Sequence, residues 1–373
     1  VLCIIEVQQL QQQLSLQLPL RLPQFNKNKT NKTTYMKDLR FICAQPDDTY
    51  YTWQVHLWIE SLRKIGHSDK AIVLIFIPSY REKNTKWQQV IDLYPEAEFV
   101  FYKDEHKISN MLGIYIPVLR PYCLRRYFEE NPGMKDKAVM YCDSDVVFTE
   151  NLNIDAYLDD DINYVSDTNS YINASYFDSK VKDVKPEKLE LYKTRDILAE
   201  TTGLTGITRE IAEANNLHSG GAQYLLKNID SEFWNKVLED CLTIRTHLLN
   251  INKEFFENEN KGFQSWCADM WAVLWGIWYR NQEARIIPEM DFAWSSDPIQ
   301  KIEKVGLLHN AGIVGDQANG YPAFYKGKYH TGQDPLNDPH LQEVMNNENS
   351  QKYCTHYYAS KLIELKEKYN LLY

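Results

Sequence analysis

The amino-acid sequence predicts an α/β fold with a sheet that is largely parallel in its first half. Three observations carry this. Short apolar runs of strand length recur, segments of helical period alternate with them, and Pro or Asp closes most runs. Residues 39–44 (LRFICA) are the first run, ending at Gln45-Pro46-Asp47-Asp48. Tyr51, Val55, Trp58, Ile59 and Leu62 follow at helical spacing. Residues 71–77 (AIVLIFI) are a second buried strand stopped by Pro78, and Trp87, Val90, Ile91 and Tyr94 mark a short helix ending near Pro95. Residues 98–102 are a third strand. Residues 116–128 predict a helix, with Pro117 and Pro121 in its first turns or at a kink. Residues 137–142 are a fourth strand running directly into Asp143-Ser144-Asp145. Such alternation sets helices on both faces of a sheet and ligands at the carboxyl ends of its strands. Gln45 to Asp48, Lys103 to Glu105 and Asp143 to Asp145 all fall at that edge.

The second half is less regular. Residues 162–166 predict a strand, and the polar stretch 167–202 predicts a long loop, a candidate lid. His218-Ser219-Gly220-Gly221-Ala222-Gln223 precedes an apolar run. Residues 231–250 predict an amphipathic helix. Trp266, Met270, Val273, Leu274 and Ile277 give the next helix its core face, with Ser265 as its N-cap. Asp269, Ala272 and Gly276 form a separate stripe of small or polar residues, as though a ligand lay beside it. Residues 284–287 and 305–308 are short strands, and 341–373 predict a helical tail. Residues 1–35 are Gln-rich, then Asn/Lys/Thr-rich, without periodicity; they read as disordered or non-native, with Met36 the natural start. The expected organisation is a single domain over 36–335 and a helical tail over 336–373.

Composition bounds the function. The chain has 373 residues, 44% of them hydrophobic, enough for a large core. Its net charge of -10 and the lack of a long basic run beyond Lys27 to Lys32 argue against a stable nucleic-acid complex. No stretch approaches the roughly 18–20 apolar residues of a membrane span. Seven Cys without a CxxC pair, mostly within apolar runs, read as reduced thiols of a cytosol-like compartment, or a host cytoplasm if the source is viral.

The chemistry centres on Asp143 and Asp145. Two carboxylates one residue apart, just beyond a buried strand, point the same way on an extended backbone. Hard oxygen donors converging at a strand end suit Mg²⁺ or Mn²⁺, which in turn clamps a diphosphate. The competing reading is a solvated turn, but apolar residues on both sides place these charges at a buried edge.

The order of strand, Asp-Ser-Asp, His-Ser-Gly-Gly-Ala, an Asp-Met-Trp helix and a late His309-Asn310-Ala311-Gly312 resembles GT-A glycosyltransferases. It is most similar to the hydroxyproline O-arabinosyltransferase and peptidyl-serine galactosyltransferase group, and more distantly to the glycogenin-like family. The resemblance covers residues 41–329. It implies a Rossmann-like nucleotide-binding half joined to an acceptor half around one mixed central sheet. It implies a UDP-sugar donor, Mn²⁺ (or Mg²⁺), and a hydroxyl-bearing acceptor (glycan, peptide or small molecule). His309 is then the third protein ligand of the metal, beside Asp143 and Asp145. Lys326 or Lys328 contacts the diphosphate. Arg120 touches the nucleotide-sugar, with Arg125 and Arg126 as competitors. Gln45 and Asp48 hold the nucleoside end, with Gln54, Tyr102 and Asp104 as further candidates. Ser144, between the two Asp, and Gly220, where a small residue admits the sugar, complete the donor set. The relatives carry an acidic residue at Asp269 that binds donor or acceptor hydroxyls, and Trp294 is a candidate acceptor floor. A lone His is ordinarily structural, surface lysines and arginines are ordinarily solvated, and an Asp in a first helical turn is favoured by the helix dipole alone.

The reaction expected is sugar transfer from a UDP-sugar to a hydroxyl, retaining if the nearest relatives guide it. If it inverts, Asp269 is the general base. The alternatives are a nucleotidyltransferase or metal-dependent phosphohydrolase using the same Asp pair, and a non-catalytic carbohydrate-binding protein of this fold.

Overall fold

Strand-length apolar runs become the sheet. The computed structural model describes residues 37–105, 108, 115–258, 260–317 and 320–369. The chain divides into two units, Val1–Tyr35 and Met36–Tyr373. The expectation for residues 1–35 lies outside the described residues, as do Lys27 to Lys32. Strands β1 (Leu39–Pro46), β2 (Ala71–Ile77), β3 (Glu98–Lys103) and β4 (Ala138–Tyr141) take up the four runs of the first half. Between them lie helices α1 (Thr49–Lys64), α2 (Lys86–Leu93) and α3 (Leu119–Glu130). Asp48 caps α1 by accepting from the Tyr50 amide. Pro117 sits in a 3₁₀ turn before α3 and Pro121 in its first turn, where a missing N–H costs nothing.

Three further strands complete this sheet: β6 (Asn163–Val165), β7 (Tyr224–Lys227) and β8 (Ala284–Ile286). The order is β3-β2-β1-β4-β7-β6-β8. β1 to β4 pair in parallel, β7 is antiparallel to both β4 and β6, and β6 pairs in parallel with β8. A second, three-stranded sheet joins β5 (Val146–Phe148), β10 (Leu307–His309) and β9 (Phe292–Trp294) in the order β5-β10-β9. The fold is thus the mixed α/β class with C-terminal helices that the sequence predicts.

Each face of the central sheet has its own core. On one side Ile42, Leu74 and Val139 pack with α3 and with two later helices, α4 (Ser231–Phe255) and α5 (Ala268–Tyr279). On the other, Phe41, Val73 and Met140 meet Trp58, Ile59 and Leu62 of α1. Alternation along β1 explains this division, since adjacent residues point to opposite faces. The tail is two helices, α6 (Pro339–Asn346) and α7 (Cys354–Tyr369), packed with Trp53, Val147 and Leu308. The six cysteines among the described residues are buried and free. No helix among the described residues is long and apolar enough to cross a membrane.

Several local expectations are corrected. Residues 167–202 are not a loop: they contain short helices at Asn169–Ile172, Ala174–Ser179, Leu189–Lys193 and Ile197–Leu204. Their apolar groups are spread thinly, and Ile172, Phe177, Tyr192 and Leu198 enter the core while Val181 and Leu191 stay exposed. Trp266 is not on a core face; it precedes α5 and is 56% exposed. Ser265 does not cap α5, whose N-cap is Cys267 without a side-chain bond. At Gly276 the small-residue stripe lies against protein rather than a ligand, since a Cβ there would come within 3.0 Å of Phe233.

Candidate active site

The Asp-Ser-Asp segment leaves β4 and enters β5 within four residues, Cys142 to Asp145. β5 then runs antiparallel to β10, with Val146 opposite His309. The Asn310 amide donates to the Asp145 carbonyl at 3.1 Å. Strand pairing therefore brings residues more than 160 positions apart in sequence to one corner at the carboxyl edge of β4.

His309 Nε2 stands 3.8 Å from Asp143 Oδ2 and 3.5 Å from Asp145 Oδ1. One ligand atom from each of the three lies within 4.8 Å of the others. This donor set, two carboxylate oxygens and an imidazole nitrogen, fits a divalent cation. The outer oxygens are held separately. Arg120 Nη2 meets Asp143 Oδ1 at 2.9 Å, and Lys326 Nζ is in contact with Asp145 Oδ2. Each carboxylate thus turns one oxygen to His309 and the other to a fixed cation. Burial pushes the Asp145 carboxyl up, but Lys326 and His309 outweigh it and hold it below the usual carboxylate range.

Arg120 also reaches Asp269 Oδ2, at 3.0 Å. Tyr115 Oη lies 3.3 Å from Asp269 Oδ1 and accepts from the Asp269 amide at 3.0 Å. Burial raises the Asp269 carboxyl above its ordinary value despite Arg120. Arg120 is consequently a bridge between Asp143 and Asp269, a task suited to a planar guanidinium with several donors.

Around the Asp pair, Gln45, Tyr50, Gln54, Ser144 and Lys326 line a small cavity together with Arg120. The Gln45 amide donates to the Leu74 carbonyl at 2.8 Å, and its buried Oε1 has no partner among the described residues. Other candidates lie apart. Asp48 caps α1 and pairs with Arg81 at 3.5 Å. Lys328 is taken by Asp316 and Asp338, at 3.2 and 2.8 Å. A Cβ on Gly220 would meet the Ser166 carbonyl at 2.3 Å, so this glycine serves close packing inside the fold. Arg126 pairs with Glu105 and Glu130, and Arg125 bonds Asn235 and pairs with Glu129. Tyr102 is buried and bonds Glu130. Asp104 accepts from the Ile108 amide. Trp294 is stacked on His309, with centroids 5.5 Å apart and planes at 22°. It backs the imidazole and offers that face to no acceptor.

Sequence reasoning missed Tyr115, and it singled out the His218–Gln223 run without giving Gln223 a role. Gln223 Nε2 lies 3.0 Å from His309 Nδ1, and the side chain is fully buried. The available signal was a polar residue directly before the strand-forming Tyr224-Leu225-Leu226. A larger groove between α1 and α7 holds no such ligand group among the described residues. Its lysines are paired internally, Lys64 and Lys361 with Glu364 and Lys368 with Glu60.

No protein-family profile and no curated protein sequence matches the chain. Solved structures do. The apo form of the bifunctional glycosyltransferase WbbM matches with a TM-score of 0.40 and 12% identity, over 84% of this chain and 54% of that one. This chain therefore spans about half the length of that protein. The galactosyltransferase LgtC, in complex with donor and acceptor sugar analogues, matches with a TM-score of 0.40 and 10% identity, over 90% of this chain and 97% of that one. Apo mouse xyloside xylosyltransferase 1 matches with a TM-score of 0.30 and 8% identity, over 74% of this chain and 98% of that one.

Proposed function

We propose that this chain is a metal-dependent GT-A-type glycosyltransferase that moves a sugar from a UDP-sugar to a hydroxyl acceptor with retention of configuration. The observation that carries the reading is the convergence of Asp143 Oδ2, Asp145 Oδ1 and His309 Nε2 beside Arg120 and Lys326 at the carboxyl edge of β4. Two acids, an imidazole and two cations in one corner suit an anionic diphosphate held through Mn²⁺ or Mg²⁺. When bound, the ion supplies Lewis-acid stabilisation of charge on the departing diphosphate.

The chain's own groups do the rest. Lys326 stands beside Asp145 and offers an ammonium to phosphate oxygens. Arg120 fixes the orientation of Asp143 and holds Asp269 in the same frame. Gln45, with an unpartnered buried oxygen beside the cavity, is positioned to accept from a donor N–H or O–H of the nucleoside. Asp269 is engaged by Arg120 and Tyr115, which favours orienting a sugar hydroxyl over acting as a free general base. That engagement supports the retaining reading.

The test is product analysis on a panel of nucleotide-sugars and nucleoside triphosphates, with and without Mn²⁺. The reading expects free UDP from a UDP-sugar only when metal is present. Pyrophosphate from a triphosphate would make the chain a nucleotidyltransferase, inorganic phosphate would make it a phosphohydrolase, and binding without turnover would leave a carbohydrate-binding protein.

A further inference from the structure

The imidazole of His309 is fixed on two sides. Trp294 covers one ring face, and Gln223 meets the Nδ1 edge at 3.0 Å. Nε2 faces Asp143 and Asp145. The tautomer therefore decides what that corner receives: an N–H or a lone pair. A neutral imidazole carries its proton on one nitrogen only, so the partner at Nδ1 sets the state of Nε2.

Gln223 faces Nδ1 with its Nε2 amine end, and its Oε1 is buried without a partner among the described residues. In that arrangement the amide donates to Nδ1, the proton resides on Nε2, and the two carboxylates face an N–H. This suits a metal-free corner, where an N–H beside acids is favourable. It forbids ligation by Nε2. Turning the amide by half a rotation presents Oε1 instead. The amide oxygen then accepts from Nδ1–H, and the Nε2 lone pair is free to bind a cation. The ring loses one proton at Nε2 and gains one at Nδ1, so the exchange is neutral overall. The unpartnered Oε1 is the observation that marks the first arrangement as incomplete.

We infer that Gln223 is the positioning residue of the site, setting the tautomer of His309 by turning its amide. Glutamine suits this because one end donates and the other accepts at similar reach. Asparagine is shorter, glutamate only accepts, and leucine or methionine does neither. The inference rests on the metal reading of Asp143, Asp145 and His309, and it predicts behaviour of the metal-free protein as well.

Two measurements test it. The first is ¹⁵N-histidine NMR of the metal-free full chain, read at His309. The expected state has its proton on Nε2, with the Nδ1–H form appearing when diamagnetic Mg²⁺ saturates the site. Nδ1–H in the metal-free parent would overturn the inference. The second is calorimetric Mn²⁺ titration of the parent, Gln223→Glu and Gln223→Met, with melting temperature as the folding control. Glutamate can accept from Nδ1–H, so Gln223→Glu is expected to bind Mn²⁺ at least as tightly as the parent. Gln223→Met is expected to bind about 10–100-fold more weakly, the usual cost of removing the hydrogen-bond partner of a metal-ligating histidine. Equal weakening in both variants would overturn the inference and make Gln223 a packing residue. A parent that binds no Mn²⁺ would instead overturn the metal reading, while the metal-free tautomer still tests the role of Gln223.

Discussion

Replacing Lys326 by Met should change the sign of its effect with the ligand present. Its ammonium contacts the outer oxygen of Asp145, whose side chain is 4% exposed, while the lysine side chain is 29% exposed. An ammonium on the outer oxygen of a metal-ligating carboxylate stands about 5 Å from the ion, and a +1/+2 pair at that distance repels by about 2 kcal/mol even in a water-like dielectric. Partial burial lowers the dielectric, so this figure is a lower bound. With no nucleotide, Lys326→Met should therefore bind Mn²⁺ about 30-fold more tightly, since about 1.4 kcal/mol is a factor of ten. With Mn²⁺ saturating, the same variant should bind UDP more weakly, because the diphosphate has lost a cation. Calorimetry of Mn²⁺ alone, then of UDP into the Mn²⁺-loaded protein, reads both signs. If Mn²⁺ alone binds the variant no more tightly than the parent, the ammonium does not repel a cation at the metal corner. Lys328→Met is the control: it is occupied by Asp316 and Asp338 and should leave both affinities unchanged.

The remaining predictions concern the acids and the imidazole. Asp269→Asn should lower turnover at least about a hundredfold while leaving UDP affinity near the parent value, as expected when a positioned group near the sugar is lost; steady-state kinetics with a UDP titration checks this. The acid limb of stability should depend on Asp145. Its folded-state pKa lies below the unfolded value of about 3.9, so its stabilisation is complete above that value and lost as pH falls through the folded one. Asp145→Asn should flatten that limb in acid-unfolding curves. Asp269 has the opposite sign: its raised carboxyl favours folding below about pH 3.9, and that contribution is lost as pH rises through the folded value. Asp269→Asn should remove this loss, seen as a smaller decline in melting temperature on that side. His309→Ala should weaken Mn²⁺ binding, read by calorimetry in the presence of UDP, more than it lowers the melting temperature.

The first half of the sheet was legible because β2 and β4 are continuous apolar runs and β1 holds one from Phe41 to Ala44, the signature of strands buried on both faces. The short strands were harder. β5 and β9 have three residues each, too few to show a period, and their existence depends on pairing with β10. That same pairing placed His309 inside a strand, where the sequence expected it just after one. The helices within 167–202 escaped because each is short and buries only one to three apolar side chains. Trp266 misled because its spacing matched the helix behind it, although it lies in the 3₁₀ turn before α5.

The candidate site divides along a similar line. Asp143 and Asp145 were legible from local sequence, since their spacing and apolar flanks lie within one segment. The distinction between Lys326 and Lys328 was not, because only the fold shows which reaches Asp145 and which reaches Asp338. Arg120 was separable from Arg125 and Arg126 for the same reason: three basic residues share α3, and only Arg120 faces the acids. Gln223 is a positional effect of strand pairing, as β7 lies beside β4 and leaves its preceding residue under His309.

The central claim is that Asp143, Asp145 and His309 together hold a divalent cation that carries a nucleotide diphosphate. The most direct measurement is anomalous diffraction at the manganese edge from crystals grown with Mn²⁺ and UDP. The account predicts a single strong peak within bonding distance of one oxygen of Asp143, one oxygen of Asp145 and Nε2 of His309, with diphosphate oxygens on its open side. A peak elsewhere, or UDP bound with no peak between these three side chains, would contradict it.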